Sequence, residues 1–381
     1  MAAGQRRIID VRVALVHEFL TQLGGAEKVL EAFHEIFPDA PVYTLIYDEK
    51  PTRGVFANWD LRTSALQRFP KKHYKWALPL MARAIESFDF SNYDLVLSDS
   101  SAFAKGIITK KPTVHICYCH TPTRYLWESR DEYIANLPYP RLIKAAAHWY
   151  LNSSLKEWDY KAAQRPDYFI ANSRTVQDRI KKYYGRESEV IYPPVDTEFY
   201  KGGNGWKGRK RNYYFTASRL EPYKKIGLVM EAFKELGLPL QVAGSGTRAE
   251  EYRINNREFR NIEFLGRVSD EELRSLYQGA KAFVFPALED AGLMVLEALS
   301  CGTPVIGFAR GGTAEFVQDG VNGVLFDNQT ADDIGAAVKR FEGMKFEAGK
   351  LRESALPFGK IEFKTKIINF LSNAGFPPAR E

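Results

Sequence analysis

The sequence is most informative at Pro286-Ala-Leu-Glu-Asp-Ala-Gly-Leu-Met-Val-Leu-Glu-Ala-Leu-Ser-Cys-Gly-Thr-Pro304. Apolar residues recur at helical spacing from Leu293 onward, and a short apolar run flanks the segment on each side, at residues 282–285 and 305–306. Strand-like runs on both sides of a helical pattern are typical of a parallel sheet covered by helices. This stretch therefore predicts an α/β fold.

The same alternation of short strands and longer helices extends in both directions. We predict strands at residues 11–16, 93–98, 113–118 and 168–172, and a second series at 213–217, 240–243, 262–265, 282–285, 305–306 and 323–326. Helical patterns between them include residues 28–33, 228–236 and 270–278. Two Rossmann-like halves follow from this arrangement.

Prolines mark the boundary between the two halves. Pro193 and Pro194 favour extended chain and interrupt the alternation of helices and strands. We therefore predict one domain at residues 1–195 and a second at 196–356. The tail at 357–381 carries apolar residues with helical spacing and predicts a final amphipathic helix, its face formed by Ile361, Phe363, Ile367, Ile368 and Leu371.

Composition and charge exclude several classes of protein. The 381 residues are 45% hydrophobic and 26% charged, which is a globular balance, and a net charge of +6 permits anionic partners without requiring nucleic acid. Three cysteines, no signal peptide and no long apolar run predict a reduced cytoplasmic protein that does not span a membrane. Cys117-x-Cys119-His120 is spaced too closely for a zinc pair, so no metal is expected.

Glycine turns after the predicted strands are candidate ligand-binding loops, because ligands of open parallel sheets bind beyond the carboxyl ends of the strands. Gly24 and Gly25 follow the first strand, and Gly244 and Gly246 follow the strand at 240–243. Backbone without Cβ can approach a phosphate closely, although a tight strand-to-helix turn has the same composition.

Charged residues accompany these turns. Arg219 and Lys224 lie on both sides of the turn after residue 217, where two cations can hold a diphosphate or simply be solvated. Glu289 precedes the helix of the opening stretch and Glu297 lies about a turn and a half inside it, so both can face a ligand or act as ordinary helix-end acids. The amides at Ala291, Gly292 and Leu293 suit an anion.

Taken together, these motifs resemble those of the retaining glycosyltransferases of family 4. The Glu289-x7-Glu297 pair is followed by Ala298-Leu-Ser-Cys-Gly-Thr-Pro-Val-Ile306 and preceded by Phe264-Leu-Gly-Arg-Val268. Further similar segments are Ser218-Arg-Leu-Glu-Pro-Tyr-Lys-Lys225, Val242-Ala-Gly-Ser-Gly246 and Gly24-Gly-Ala-Glu27. The resemblance covers most of the chain and implies the GT-B fold, with two Rossmann-like domains facing a cleft and a C-terminal helix that crosses back to the first.

The resemblance also implies a role for each site residue. Arg219 and Lys224 would bind the donor diphosphate, Glu289 would lie beside the transferred sugar, and Glu297 would bind the nucleotide ribose. Arg267 and Val268 would lie near the base, and His120 would contact the donor sugar. The family commonly has an aromatic residue where this chain has Ala291, a departure that bears on sugar preference.

The implied chemistry is sugar transfer with retention of configuration and without a metal. The cations and helix-start amides would stabilise charge on the leaving diphosphate, whose oxygen takes the proton of the attacking hydroxyl. A covalent intermediate on Glu289 is the alternative.

The segment from Leu61 to Ile85 carries six basic residues and no acid, interleaved with aromatic residues. Such a segment suits an anionic membrane surface, and residues 141–158 add a candidate interfacial helix. An internally packed helix with a solvated basic loop is the other interpretation. A membrane surface fits a lipid-linked glycan acceptor, and we expect a peripheral protein on the inner face of the plasma membrane.

The stretch from His120 to Trp127 is similar to that of bacterial O-antigen and exopolysaccharide mannosyltransferases, which implies GDP-mannose as donor. A UDP-sugar donor is the alternative within the class. A nucleotide-sugar epimerase with the same fold, and a binding module without activity, are the alternatives outside it.

Overall fold

The computed structural model describes residues 11–128, 131, 134, 140–202, 211–255 and 257–376, with the side chains of Lys72, His73, Lys75, Ile143 and Ala147 left out. The chain divides into two compact units, Met1–Pro194 with Phe363–Glu381, and Val195–Glu362. Within the residues described, no helix combines the length and the apolar character needed to cross a membrane.

The first unit is built on one parallel sheet of seven strands, in the order β3-β2-β1-β4-β5-β6-β7. The strands are β1 Val13–Leu20, β2 Val42–Tyr47, β3 Leu61–Thr63, β4 Leu95–Ser100, β5 Val114–Cys119, β6 Tyr168–Ala171 and β7 Glu189–Val190. Helices cover the faces of this sheet, so its central strands are buried nearly throughout, including the polar residues at their carboxyl halves. The helices are α1 Gly25–Ile36, α2 Leu78–Glu86, α3 Arg124–Trp127, α4 Arg141–Tyr150, α5 Lys156–Ala162 and α6 Arg174–Tyr184.

The second unit repeats this plan with six parallel strands in the order β10-β9-β8-β11-β12-β13. The strands are β8 Tyr213–Ala217, β9 Leu240–Ala243, β10 Ile262–Gly266, β11 Ala280–Phe285, β12 Val305–Phe308 and β13 Gly323–Phe326. The helices are α7 Ile226–Leu236, α8 Ala249–Asn255, α9 Asp270–Gly279, α10 Leu293–Ser300, α11 Gly312–Phe316, α12 Ala331–Glu342 and α13 Ala348–Ala355. The two sheets confirm the predicted α/β class and the two Rossmann-like halves.

The last helix, α14 Lys360–Asn373, belongs mostly to the first unit. Phe363 packs between Phe33 and Tyr118, with ring centroids 5.7 and 5.9 Å away. Of the apolar face predicted for this helix, Ile367 and Leu371 are buried as well, but Ile361 is 75% exposed and that part of the prediction is wrong.

Strand boundaries in the first unit differ from the prediction. The strand β1 continues to Leu20 instead of ending at residue 16, because His17 and Glu18 are polar but buried within it. The strands β2, β3 and β7 were not predicted. The apolar run at β2 was a usable signal, whereas β7 has only two residues and carries none.

The basic segment from Leu61 to Ile85 forms β3, two 3-10 turns at Ala65–Arg68 and Lys71–Ala77, and α2 up to its last turn. Met81 and Ile85 pack inward, while Trp76 and Leu80 are 65% and 48% exposed. Three of its residues, Lys72, His73 and Lys75, have side chains outside the described part of the structure. The predicted helix at 141–158 consists of α4, a π turn at Leu151–Leu155 and α5.

Candidate functional site

Two glycines hold the turns after β8 and β9 against each other in the second unit. Gly244 has φ +135°, and a Cβ there would lie 1.9 Å from the carbonyl oxygen of Ser218. A Cβ at Gly246 would lie 2.6 to 2.7 Å from backbone atoms of Leu220, whose N–H donates to the Ser245 carbonyl at 2.9 Å. Only glycine permits this close approach of two backbones, so the fit fixes the turn that carries Arg219.

Lys224 and Glu289 form an ion pair in this unit. Lys224 ends a 3-10 turn before α7, and Glu289 lies in the loop between β11 and α10. Their side chains are 11% and 24% exposed. Lys224, predicted to bind the diphosphate, is therefore in direct contact with Glu289, predicted to lie beside the sugar. The sequence did not indicate this pairing.

The loop that carries Glu289 is supported by a second glycine pair, Gly311-Gly312, which the sequence analysis missed. The N–H of Gly312 donates to the Glu289 carbonyl at 2.8 Å. Gly311 has φ +65°, and a Cβ there would lie 2.4 Å from the same carbonyl oxygen. The signal was available, because these glycines follow the strand β12 as Gly24 and Gly25 follow β1.

The helix α10 begins where the predicted anion-binding amides lie. Gly292 precedes it in the left-handed conformation, with φ +62°, and Ala291 and Leu293 are half-buried on either side. The first amides of a helix have no partner within it, so they can donate to an anion.

Glu297 lies inside α10 with 5% of its surface exposed. The hydroxyl of Tyr277 donates to its Oε2 atom at 3.3 Å. Burial raises the pKa of Tyr277, and the charge of Glu297 raises it further, so Tyr277 remains a hydrogen-bond donor at neutral pH. The packing therefore fixes the side chain of Glu297, the residue predicted to bind the ribose, with one oxygen oriented by Tyr277.

The other predicted donor ligands lie along the same edge of the sheet. Arg219 and Arg267 are exposed and Val268 is half-buried; they follow β8 and β10, which flank β9. Carboxyl ends of parallel strands meet at one edge, so these residues share it with Gly244 and Gly246.

In the first unit, Gly24 and Gly25 form the start of α1, as predicted from the sequence. Gly24 is the N-cap residue, and a Cβ there would lie 3.1 Å from Oε2 of Glu27 in the first turn. Glu27 is 2% exposed, and its Oε2 has no hydrogen-bond partner among the residues that the structure describes. Its Oε1 lies 3.7 Å from Nε2 of His17.

His120 follows β5 and binds Asp99, which in turn binds His17. Nε2 of His120 contacts Oδ1 of Asp99, and Nδ1 of His17 lies 2.8 Å from Oδ2 of the same carboxylate. Asp99 is fully buried, and the two imidazoles are 12% and 4% exposed. Of these three residues, only His120 was predicted from the sequence; the polar residues His17 and Asp99 within the apolar runs of β1 and β4 were the signal for the other two.

These contacts set the charges of the three side chains. Burial lowers the pKa of His120, but the charge and hydrogen bond of Asp99 outweigh burial and leave that pKa raised. Burial also lowers the pKa of His17, but the contacts with Asp99 and Glu27 outweigh it, so this pKa lies well above its ordinary value. Burial raises the pKa of Asp99, yet its two histidine partners lower it below its usual range. The three contacts therefore favour a negative charge on Asp99 and protonation of the two rings beside it.

The stretch after His120 is fixed by another buried carboxylate, Asp159 of α5. Its Oδ1 accepts from Lys105 Nζ and from Thr123 Oγ1, each at 2.6 Å. Its Oδ2 accepts from Trp127 Nε1 and Tyr184 Oη, each at 2.8 Å. Two residues of the motif that implied a mannose donor thus serve the fold of the first unit.

No group of three or more potential metal ligands among His, Cys, Asp and Glu occurs in the part of the chain that the structure describes. At the strand edge of the second unit the site residues are cations, glycine turns and the carboxylates of Glu289 and Glu297. This set suits an anionic, hydroxyl-rich ligand.

Comparison with known proteins gives two family matches. Residues 199–356 match Glycosyl transferases group 1, and residues 23–199 match Glycosyltransferase Family 4. The two regions adjoin and together span residues 23–356.

Two curated relatives illustrate the similarity. An uncharacterized glycosyltransferase of Methanocaldococcus jannaschii is 26% identical over 178 residues, which are 45% of this chain and 49% of that protein. A D-inositol 3-phosphate glycosyltransferase of Geodermatophilus obscurus is 29% identical over 201 residues, 45% of each chain. The chain thus matches about half the length of these relatives.

Among solved structures, HepE of Anabaena in complex with UDP is similar with a TM-score of 0.69 at 17% identity. The match covers 95% of this chain and 100% of HepE. At this identity the likeness shows a common fold.

Proposed function

We propose that the chain, whose two glycosyltransferase family matches together span residues 23–356, is a GT-B glycosyltransferase that transfers a sugar from a nucleotide diphosphate donor to a glycan, with retention of configuration. The observation that carries the proposal is the ion pair between Lys224 and Glu289 at the carboxyl edge of the second sheet. A cation and a carboxylate in contact suit a donor that carries a diphosphate on one side of the scissile bond and sugar hydroxyls on the other.

In the proposed donor complex, the second unit binds the nucleotide. Arg219, Lys224 and the amides at the start of α10 hold the diphosphate, and Glu297 accepts from the ribose. Arg267 and Val268 lie beside the base. The glycine-locked turns support this arrangement because they bring Arg219 to the sheet edge with little freedom.

In the proposed chemical step, charge develops on the diphosphate and on the sugar, and nearby side chains stabilise it. As the bond between the anomeric carbon and the diphosphate oxygen breaks, negative charge grows on the diphosphate and Lys224 and the helix amides stabilise it. The acceptor hydroxyl attacks from the same face and gives its proton to the departing phosphate oxygen. Glu289 positions sugar hydroxyls and stabilises positive charge at the anomeric carbon.

The substitution Glu289→Gln tests this mechanism. It removes the charge while keeping the shape, so we expect transfer to fall by about 100-fold or more, with nucleotide affinity retained in calorimetry. Glu263→Gln, an exposed glutamate in β10 of the same unit, is the control. Full turnover of Glu289→Gln would remove Glu289 from the mechanism, and turnover of the wild type without any acceptor would indicate an epimerase.

For the donor we propose GDP-mannose, on the similarity of the stretch from His120 to Trp127. A UDP-sugar is the second candidate, and the UDP complex of HepE favours it. Thermal unfolding with GDP-, UDP- and ADP-sugars decides between them, since a ligand at 100 times its Kd stabilises by about 2.7 kcal/mol. A shift produced by UDP-sugars alone would overturn the GDP-mannose assignment.

For the acceptor we propose a lipid-linked glycan reached from an anionic membrane surface. Leu142 and Trp149 of α4 are 86% and 69% exposed, and Trp76 precedes α2 in the basic segment. We expect sedimentation with anionic vesicles, and less with neutral ones. Replacing Leu142 and Trp149 by serine should abolish it, whereas serine at Ile254, which is 51% exposed in the second unit, should not.

A further inference from the structure

Four titratable side chains form a continuous row in the first unit, and the family resemblance gives a role to one of them, His120, as a contact to the donor sugar. The row runs from Glu27 through His17 and Asp99 to His120. Resting on the proposed function, we propose that Asp99 and His17 are positioning residues. They fix the ring of His120 so that it presents Nδ1–H as a charged hydrogen-bond donor to the donor sugar or its diphosphate and does not act as a general base.

The strand order of the sheet creates this row. β4 lies between β1 and β5, and Asp99 on β4 is directly paired with His17 on β1. His120 comes directly after β5, and its backbone N–H donates to the Ser100 carbonyl at 2.8 Å. One carboxylate therefore reaches an imidazole on each side.

Both oxygens of the Asp99 carboxylate have a hydrogen-bond partner. Oδ2 binds Nδ1 of His17 and Oδ1 binds Nε2 of His120, so each oxygen has its own ring. A buried carboxylate needs such compensation, since an unpaired charge costs several kcal/mol in the interior. With Nε2 of His120 held by Asp99, Nδ1 is the ring nitrogen left for a ligand.

Other charged groups around the row favour a protonated His120. Asp99 and Glu18 raise its pKa, while burial and the neighbouring His17 lower it. The rings of His120 and Tyr118 also lie close together, with centroids 5.3 Å apart. Burial and Asp99 raise the pKa of Tyr118, so Tyr118 stays neutral. Glu27 on α1 completes the row by raising the pKa of His17.

The charge decides what His120 can do in the reaction. A general base needs a neutral ring with a lone pair, and a protonated ring has none to offer. This leaves the departing phosphate oxygen of the proposed mechanism as the proton acceptor in place of His120. A fixed imidazolium instead contributes a donor where negative charge develops.

Direct titration of the rings tests the proposal without any substrate. Histidine labelled with 15N and 13C is placed in the full chain, and His120 and His17 are assigned with His120→Gln and His17→Gln. We expect His120 to remain an imidazolium above pH 6.5, the ordinary midpoint of histidine. Asp99→Asn should move its titration to lower pH by about one unit or more.

The control is Asp94→Asn, which removes a carboxylate just before the same strand, where Asp94 binds Arg12. It should leave the midpoint of His120 unchanged. A neutral His120 at pH 7 in the wild type would overturn the proposal, as would an unchanged midpoint in Asp99→Asn. If Asp99→Asn does not fold, the wild-type titration decides on its own, and His17→Gln should raise the midpoint of His120, because His17 lowers the pKa of that ring.

Activity provides the second readout. We expect kcat of Asp99→Asn to fall by about 10- to 100-fold, as for outer partners of ligating histidines, with the KM for the donor little changed. The basic limb of its pH profile should move to lower pH together with the ring titration. A charged His120 in a chain that transfers no sugar would refute the proposed function alone, whereas an active chain with a neutral His120 would refute the positioning role alone.

Discussion

The buried carboxylate of Asp159 should be worth several kcal/mol to the first unit. Asp159→Asn keeps the size of the side chain but replaces one accepting oxygen by an amide that can only donate. Lys105, whose side chain is 1% exposed, then loses its counterion. Breaking a buried pair on one side costs about 3 to 5 kcal/mol because the remaining charge is left in the interior.

The expected loss can be followed by tryptophan fluorescence. Five of the six tryptophans lie in the first unit, and Trp127 itself donates to Asp159 at 2.8 Å. For a unit of about 200 residues, a loss of this size lowers Tm by roughly 10 °C. We expect the fluorescence transition of Asp159→Asn to move by that amount in thermal unfolding, and to lower urea concentration in chemical unfolding.

The matched control lies on the same helix. Glu157 pairs with Lys161 at the surface, with both side chains about two-thirds exposed. Glu157→Gln should leave both transitions unchanged, since exposed pairs contribute little. A loss below about 1 kcal/mol in Asp159→Asn, the size of one ordinary hydrogen bond, would refute the claim that this carboxylate organises the stretch after His120.

Three further outcomes follow from single contacts. Gly246→Ala puts a Cβ within 2.7 Å of neighbouring backbone, so we expect a lower Tm and weaker nucleotide binding in calorimetry, whereas Gly335→Ala, in open space on α12, should lose neither. Tyr277→Phe removes the donor to Glu297 and should cost about 1 kcal/mol in urea unfolding; unchanged stability would show that the 3.3 Å contact contributes nothing. Burial, followed by two arginines, lowers the pKa of His115 to about 3. Below about pH 6.5 the unfolded chain therefore binds a proton at His115 that the folded chain does not bind. The free energy of unfolding decreases as the pH is lowered, by about 3 kcal/mol at pH 4.5. His115→Asn should make this dependence on pH less steep.

The second unit was more predictable from sequence than the first. All six of its strands were predicted to within two residues at each end, because glycine turns and apolar runs alternate there at regular intervals. In the first unit, β1 was cut short at His17 because buried polar residues break an apolar run. Hydrophobic periodicity cannot anticipate a charge that is buried because another strand supplies its partner.

The candidate site was likewise predicted only in part from the sequence. Lys224 and Glu289 were each identified, yet their contact depends on a 3-10 turn and a loop 65 residues apart in the chain. Gly246 was predicted to lie in a ligand-binding loop. In the structure, the absence of a Cβ at Gly246 leaves room for the backbone of Leu220. Residue types along a chain indicate chemistry, whereas pairing between distant segments comes from the fold.

The buried carboxylate of Glu18 determines whether the loop after β4 can receive an anion. Its Oε1 accepts from the backbone N–H groups of Ser101, Ala102 and Ala104 at 2.7 to 3.0 Å, and from the hydroxyl of Ser100 at 2.9 Å. Converging amides of this kind make a cradle for a phosphate oxygen, and here a carboxylate of the same chain fills it permanently. These donors of the first unit are therefore occupied by a carboxylate of the same chain, and an external phosphate would have to displace Glu18 to reach them.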